Sequence, residues 1–247
     1  DTRKLFAIGF DERANRLDAS SYDLLASEAR LASFIAIAKG DAPTEHWFRL
    51  GRSLTAQAGA TALVSWSGSM FAYLMPVLVL PSRPYSLLDQ TLRAAVRRHI
   101  VYARSRNVPW GISESAYNVR DRHETYQYRA FGVPDLALKR GLANDLVVAP
   151  YATALALPID PREAMLNLAI LEREGAPGQF GFHDALAYAR PSEDEHPSCG
   201  RPAVAHRAGL ARAPIDQALN LTMGDGIWQR RFMTDPICRA ARLLGRR

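Results

Sequence analysis

Two glutamates stand in surroundings that are unusual for a charged side chain, and both could take part in acid–base chemistry. Glu28 lies in SYDLLASEARLASFIAIAKG, residues 21–40, which is predicted to form an apolar helix. The residues that would share its helical face are Leu24, Leu31, Ala32 and Ile35. A buried carboxylate is costly unless it is paired, hydrogen-bonded or protonated. Glu28 is therefore either half of a structural ion pair with an arginine or a functional group.

The second glutamate, Glu114, lies in PWGISESAYN, residues 109–118, among an unusual density of aromatic rings. The rings nearby in sequence are Trp110, Tyr117, Tyr126 and Tyr128. A partly desolvated carboxyl group stays protonated at higher pH than usual and can act as a general acid. Aromatic rings also stack on the apolar faces of sugars. The alternative is that these rings fill a core beneath a long loop.

Glu114 follows Glu28 by 86 positions, so the two acids come from separate segments. Two carboxyl groups that flank one bond are the arrangement that glycoside chemistry requires. An enzyme of this kind needs both glutamates in one cleft, which the sequence alone does not show.

Helical periodicity dominates the elements that must position these acids. The predicted helices are 20–38, 69–80, 86–106, 146–157, 161–174 and 206–223. Two long segments rich in Gly, Pro and aromatic residues, 107–134 and 176–202, are predicted to be functional loops. Small hairpins are expected at 61–69 and 179–185.

Composition favours a globular domain of enzyme size, because 247 residues with 48% apolar content can bury a sizeable core. We predict one domain over residues 1–247. The chain begins at Asp1 without a methionine, a leader or an apolar run near 20 residues. We therefore expect a fragment of a larger chain, with neither a signal peptide nor a membrane span within this fragment.

The charge of +6 does not predict a nucleic-acid partner, because the basic residues are scattered along the chain. Cys199 and Cys238 are far apart without paired spacing, so a metal site is not expected and a reducing compartment is the simpler interpretation. Neither His183 nor His206 has further ligands at suitable spacing for a metal. No cofactor is predicted.

Seven motifs resemble, in the same order, the glycoamylase-like domain of cyclic β-1,2-glucan synthases, which is related to endo-β-1,2-glucanases. They are SYDLLASEAR, HWFRLGR, LVSWSGSMFAYLMP, LLDQTLRAAVRRHI, VPWGISESAYN, YQYRAFGVPDLALKRGL and DLVVAPYATALAL. The resemblance covers about residues 5–188 and implies an all-α fold, an (α/α)6 toroid-like barrel. That barrel needs twelve helices, so we expect an incomplete toroid with long loops and small β-hairpins.

The resemblance implies that the domain cleaves and closes linear β-1,2-glucan by transglycosylation, as a glycoside-hydrolase-type enzyme. It assigns Glu28 as the nucleophile or base and Glu114 as the general acid. Hydrolysis by the same apparatus, as in the related endo-β-1,2-glucanases, is one alternative. Loss of turnover with retained glucan binding is another.

Glucan-binding residues are also predicted. The aromatic platforms are Trp66, Trp110, Tyr117, Tyr126 and Tyr128, and the hydrogen-bonding candidates are Asp23, Arg30, Asn118 and Arg129. In each case simple packing or surface solvation is the alternative role.

The chain departs from the family pattern in three motifs. Ala72 replaces an acid in MFAYLMP, and His183 and Asp184 stand where the family has GFYEA. The family's MAHHQGM is here VAHRAGL, which keeps His206 but changes Arg207, Ala208 and Leu210. If that motif lines a sugar subsite, affinity or chain positioning should be altered.

The resemblance also implies a setting. In the synthase this domain lies between a membrane glycosyltransferase and a phosphorylase-like domain. A bacterial enzyme on the cytoplasmic side of the inner membrane is therefore expected, or a cytoplasmic one if the chain is not part of a synthase.

Overall fold

The computed structural model describes residues 3–57, 59–188, 203–205, 218–219, 221–241 and 244. The α-helices in these ranges are α1 (Arg30–Lys39), α2 (Glu45–Arg49), α3 (Met70–Leu74), α4 (Leu87–Ser105), α5 (Pro150–Leu155), α6 (Pro161–Arg173), α7 (Ile227–Thr234) and α8 (Pro236–Ala240). Short 3-10 turns follow at Met75–Leu78, Pro134–Leu136 and Leu142–Asn144. In this part of the chain, no helix is long and apolar enough to cross a membrane.

Short antiparallel strands accompany the helices. They are β1 (Phe10–Asp11), β2 (Arg16–Leu17), β3 (Leu54–Gln57), β4 (Ala60–Leu63), β5 (Ser115–Arg120), β6 (Tyr126–Arg129), β7 (Val147–Val148), β8 (Pro177–Gly178), β9 (Gly181–Phe182), β10 (Ala185–Ala187) and β11 (Ala203–Ala205). Four pairs form hairpins, and β11, β10 and β7 form a three-stranded sheet in that order. The prediction of helices with small hairpins is confirmed.

The best-predicted helices carry clear end signals. Ser86 precedes α4, and its hydroxyl accepts the Asp89 N–H at 3.2 Å. Asp160 precedes Pro161 at the start of α6 and accepts the Glu163 N–H at 3.2 Å. Side chains of this kind satisfy backbone donors that have no partner within the helix. Both helices therefore begin within one residue of their predicted starts.

The first predicted helix was wrong over its N-terminal half, because α1 begins at Arg30 rather than near residue 20. The preceding backbone pairs with a distant segment: the Gly51 N–H donates to the Asp23 carbonyl at 2.6 Å, and the Leu25 N–H donates to the Gly51 carbonyl at 3.0 Å. Glu28 consequently lies in the turn before α1, and not within an apolar helical stripe. The helix ends at Gly40, whose left-handed conformation (φ 83°) suits a residue without a side chain.

Residues 107–134 are not a single loop as predicted, since β5 and β6 form a hairpin inside that segment. The helix predicted at 146–157 is shorter, because Val147 and Val148 join the three-stranded sheet before α5 begins. The helix predicted at 69–80 is split into α3 and a 3-10 turn that contains Pro76. Most of the helix predicted at 206–223 lies outside the described residues.

The segment 65–69 passes unusually close to the segment 132–138. A Cβ atom on Gly132 would lie 1.9 Å from the Ser67 carbonyl oxygen, so only glycine fits there. The Val133 N–H donates to the Gly68 carbonyl at 3.1 Å, and Nε2 of buried His99 lies 3.0 Å from the same oxygen. Burial lowers the pKa of His99 to about 4, so its ring is neutral at pH 7. This crossing fixes the backbone on which Trp66 is presented.

Candidate active site

Glu28 and Glu114 line one cavity of about 440 Å³. Tyr22, Asp23, Trp66 and Ser67 are among the other side chains on its wall. The two glutamates interact electrostatically, since the negative charge of Glu28 raises the pKa of Glu114. The structure thus brings together two acids that are far apart in sequence.

The N-terminal arm, residues 3–22, forms part of the wall of this cavity. The Ile8 N–H donates to the Ser20 carbonyl at 3.0 Å, and the Tyr22 N–H donates to the Phe6 carbonyl at 2.9 Å. Arg3, Ile8 and Ala19 line the cavity as a result of this pairing. The arm contributes to the site although it contains neither glutamate.

Arg30 holds the turn that carries Glu28 through hydrogen bonds to backbone carbonyls. Its Nη1 atom donates to the carbonyls of Ser27 (3.0 Å) and Ala72 (2.9 Å), and its Nη2 atom donates to the Tyr73 carbonyl (2.5 Å). Burial lowers the pKa of Arg30 to about 10, and the nearby charge of Glu28 opposes that shift. At pH 7 Arg30 is therefore a buried cation next to Glu28.

Arg30 is not among the residues that line the cavity of the two glutamates. It lines a second cavity of about 360 Å³ with residues such as Phe34 and Trp47. Its terminal nitrogens donate to backbone carbonyls, so Arg30 connects the turn that carries Glu28 to α3.

Glu114 immediately precedes β5, and buried polar groups hold its backbone. The Tyr151 hydroxyl donates to the Glu114 carbonyl at 2.7 Å and lies 2.9 Å from Ser113 Oγ, which accepts the Phe71 N–H at 3.0 Å. Asp184 Oδ2 accepts the Ala116 N–H at 2.7 Å. Because partners on α3, α5 and the segment before β10 converge here, the Glu114 backbone is fixed on several sides.

The surroundings of the Glu114 carboxyl group change its pKa. Burial raises its pKa, the charge of Glu28 raises it further, and a hydrogen bond with the Tyr128 hydroxyl lowers it. Because burial and the Glu28 charge outweigh the contact with Tyr128, the pKa of Glu114 is raised above its usual value. A carboxyl group in this state is suited to donate a proton at near-neutral pH.

Two of the predicted platforms are accessible near the glutamates. Trp66 is 63% exposed and lines the cavity. Tyr128 on β6 is 54% exposed, and its hydroxyl and the Glu114 carboxyl group each affect the pKa of the other. Asp23, predicted as a hydrogen-bonding residue, also lines the cavity.

The remaining predicted sugar contacts are not among the residues lining this cavity. Trp110 is only 5% exposed, and its backbone carbonyl accepts from Asn167 Nδ2 at 2.7 Å. The Tyr117 ring packs edge-on against Phe131, with ring centroids 5.1 Å apart.

Two further members of that group lie on the β5–β6 hairpin. The Tyr126 hydroxyl accepts from Arg120 at 2.7 Å, and Arg129 forms an ion pair with Asp145 at 2.5 Å. The Asn118 side chain lies outside the described residues.

Several residues that shape the site have no distinctive signal in the sequence. Tyr22, Ser67 and Ser69 line the cavity, and Tyr151 anchors Glu114. Tyr22 follows SS at residues 20–21, and the serines flank Gly68, a pattern that also occurs in ordinary turns. Ala72, where the family pattern has an acid, is on the cavity wall too.

Within the described part of the chain, no group of three His, Cys, Asp or Glu side chains is placed to hold a metal ion. The altered segment with His206, Arg207, Ala208 and Leu210 lies outside the described residues, as does Cys199.

Solved structures with a similar fold include two glucanases. An endo-beta-1,2-glucanase from Chitinophaga pinensis, in complex with sophorotriose and glucose, superposes with a TM-score of 0.63 at 16% identity, over 98% of this chain and 59% of that chain. A beta-1,2-glucanase from Parabacteroides distasonis gives a TM-score of 0.53 at 16% identity, over 89% of this chain and 30% of that chain. At these identities the likeness shows a shared fold.

Sequence comparison identifies the family. The chain is 48% identical over 244 residues to the cyclic beta-(1,2)-glucan synthase NdvB of Rhizobium meliloti (strain 1021). That match covers 98% of this chain but only 8% of the relative's length. The Glycoamylase family model, which describes glucoamylases, matches residues 20–235. The resemblance noted from the motifs is thus confirmed, and the chain belongs to the Glycoamylase family.

Proposed function

We propose that this chain is a glycoside-hydrolase-type domain that cleaves and re-forms β-1,2-glucosidic bonds in β-1,2-glucan by transglycosylation. The observation that carries the proposal is the shared cavity of Glu28 and Glu114, with a raised pKa on Glu114 and the exposed Trp66 ring beside them. The names of the relatives support β-1,2-glucan as the substrate.

The two acids would act in a retaining mechanism. Protonated Glu114 gives its proton to the leaving glycosidic oxygen as the bond to the anomeric carbon breaks, and a Glu28 oxygen bonds to that carbon. An incoming sugar hydroxyl then gives its proton to the Glu114 carboxylate while its oxygen displaces Glu28. If the hydroxyl belongs to the same glucan chain, the product is a ring.

Hydrolysis is the second candidate function, because the same cavity would release a free reducing end if water took the place of the hydroxyl. The likeness to two β-1,2-glucanase structures favours this candidate. A third candidate is a glucan-binding domain with weakened turnover, which the replacement of an acid by Ala72 on the cavity wall favours.

The wider assignments are also proposals. The helices and the likeness to longer solved structures support an (α/α)6 toroid and a single domain over residues 1–247. The small share of NdvB that the chain covers supports neighbouring glycosyltransferase and phosphorylase-like domains. With them, the domain would act on the cytoplasmic side of a bacterial inner membrane.

The test is incubation of the purified chain with linear β-1,2-glucan, followed by separation of products by size and mass. Transglycosylation gives redistributed chain lengths or products that have lost one water on ring closure. Hydrolysis gives shorter chains and new reducing ends. Unchanged glucan that still binds supports the binding domain, and unchanged glucan without binding contradicts all three candidates. Glu114→Gln serves as the matched control.

A further inference from the structure

We propose that Tyr128 is a positioning residue for Glu114. Its hydroxyl donates to one carboxylate oxygen, which leaves the other oxygen to exchange the proton with the glycosidic oxygen. This inference rests on the proposed function and gives Tyr128 a role other than that of a sugar platform.

The β5–β6 hairpin places the two groups within reach. Tyr128 pairs with Ala116 across the hairpin, and Arg129 pairs with Ser115, the residue after Glu114. Since Ala116 is fully buried and has only a methyl side chain, it leaves room for a large ring on the opposite strand. Glu114 is two positions before Ala116 and so shares its face, which makes Tyr128 a diagonal neighbour of Glu114, within reach of its carboxyl group. The hydroxyl and the carboxyl group each affect the pKa of the other, as hydrogen-bonding partners do.

The hydroxyl can only act as a proton donor to that carboxylate. Burial raises the pKa of Tyr128, and the charges of Glu114, Asp184 and Glu28 raise it further. The phenol therefore stays neutral across the pH range of enzyme assays. A permanent donor on one oxygen fixes the carboxylate orientation and stabilises its ionised form.

Other groups near Glu114 do not duplicate this contact. Among the described residues, Glu28 faces it as a like charge, and the Tyr151 hydroxyl binds its backbone carbonyl rather than its carboxylate. The Asp184 carboxylate accepts the Ala116 N–H and acts electrostatically on Tyr128 and Tyr151. Tyr128 is thus the donor that links the carboxylate to the hairpin.

The experiment compares Tyr128→Phe, which keeps the ring and removes the hydroxyl, with the intact chain. Since the hydrogen bond lowers the pKa of Glu114, its loss raises that pKa. Activity that needs protonated Glu114 should then persist to higher pH, so the alkaline limb of the kcat profile moves upward. We expect kcat to fall about tenfold with KM unchanged, as for losing a hydrogen bond to a charged group.

Tyr126→Phe is the matched control, because Tyr126 is on the same strand but its hydroxyl accepts from Arg120. Its pH profile should match that of the intact chain. An unchanged profile in Tyr128→Phe, or a raised KM as the main effect in Tyr128→Ala with a normal Tyr128→Phe, would support a sugar platform and overturn the proposal.

A substrate-free measurement separates this inference from the proposed function. Carboxyl 13C NMR of glutamate-labelled protein gives the titration of Glu114, whose signal is assigned by its absence in Glu114→Gln. We expect the midpoint in Tyr128→Phe to lie at higher pH than in the intact chain. A coincident midpoint contradicts the inference, even if the chain processes β-1,2-glucan; a shifted midpoint supports it, even if the chain does not.

Discussion

The two walls of the cavity hold their glutamates by different means. Glu28 lies in a turn that a buried cation, Arg30, ties to the carbonyls of Ala72 and Tyr73. Glu114 precedes a strand whose backbone is held by the Tyr151 hydroxyl and the Asp184 carboxylate, and its own carboxyl group is partly buried. One glutamate thus has a positive neighbour and the other has a desolvated pocket. In the proposed mechanism, this difference in surroundings is what would separate the role of nucleophile from that of acid between two side chains of one type.

The largest effect should come from removing either carboxylate. Glu28→Gln and Glu114→Gln are each expected to lower the rate of β-1,2-glucan processing at least about 1,000-fold, because both groups act in the same step. The rates are measured by product separation after incubation with linear glucan. A wild-type-like rate in either variant would remove the two-glutamate mechanism.

A substrate with a good leaving group sharpens this first prediction. A nitrophenyl glycoside of a β-1,2-linked disaccharide needs little protonation when its glycosidic bond breaks. Glu114→Gln should therefore regain much of its first-step rate on this substrate, whereas Glu28→Gln should not. Recovery in Glu28→Gln but not in Glu114→Gln would mean that the two roles are assigned the wrong way round.

Replacement of Arg30 should be the next largest effect. Arg30→Met keeps the approximate volume but removes the guanidinium group that donates to three backbone carbonyls, so the free energy of unfolding should fall by about 3 kcal/mol. Urea unfolding measures this change. Arg52→Met is the matched control, since Arg52 also donates to backbone carbonyls but is only partly buried, and its loss should cost about 1 kcal/mol. Equal losses would contradict a special role for Arg30.

Trp66→Ala should weaken glucan binding by about tenfold, or about 1.4 kcal/mol, because an exposed ring on the cavity wall is lost. Calorimetric titration with linear β-1,2-glucan in an inactive Glu114→Gln background gives the affinity. Trp228→Ala provides the control, since Trp228 is also exposed but is not among the cavity-lining residues. Unchanged affinity in Trp66→Ala would leave Trp66 without a role in binding.

The smallest expected effect is electrostatic. Since the charge of Glu28 raises the pKa of Glu114, Glu28→Gln should move the Glu114 titration to lower pH. This direction is opposite to that expected for Tyr128→Phe, and the same carboxyl NMR experiment measures both. A titration that moves upward or stays in place in Glu28→Gln would show that the two acids are not coupled through the cavity.

Both glutamates could be singled out from the sequence because each interrupts a segment of a very different character, and the structure places both on the wall of one cavity. The sequence also placed α4 and α6 well, since Ser86 and Asp160 are local signals. It could not show that Glu28 lies outside a helix, because the pairing of residues 23–25 with Gly51 is a long-range contact. No local pattern records such a contact.

Proximity in sequence was a poor guide to the lining of the cavity. Trp110 is four positions from Glu114 yet buried away from it, whereas Ile8 and Trp66 reach the cavity from far along the chain. A chain that turns sharply before a strand can point neighbouring side chains in opposite directions. The direction in which a side chain points, rather than its distance along the chain from Glu114, decides whether an aromatic ring reaches the cavity.

The N-terminal arm has a practical consequence for protein production. The family match starts at residue 20, and expression boundaries are commonly chosen from such matches. A polypeptide trimmed to that boundary would lose Arg3, Ile8 and Ala19 from the cavity wall while keeping both glutamates. Such a trimmed protein would retain both glutamates assigned to the chemistry, but its substrate cavity would lack part of its wall.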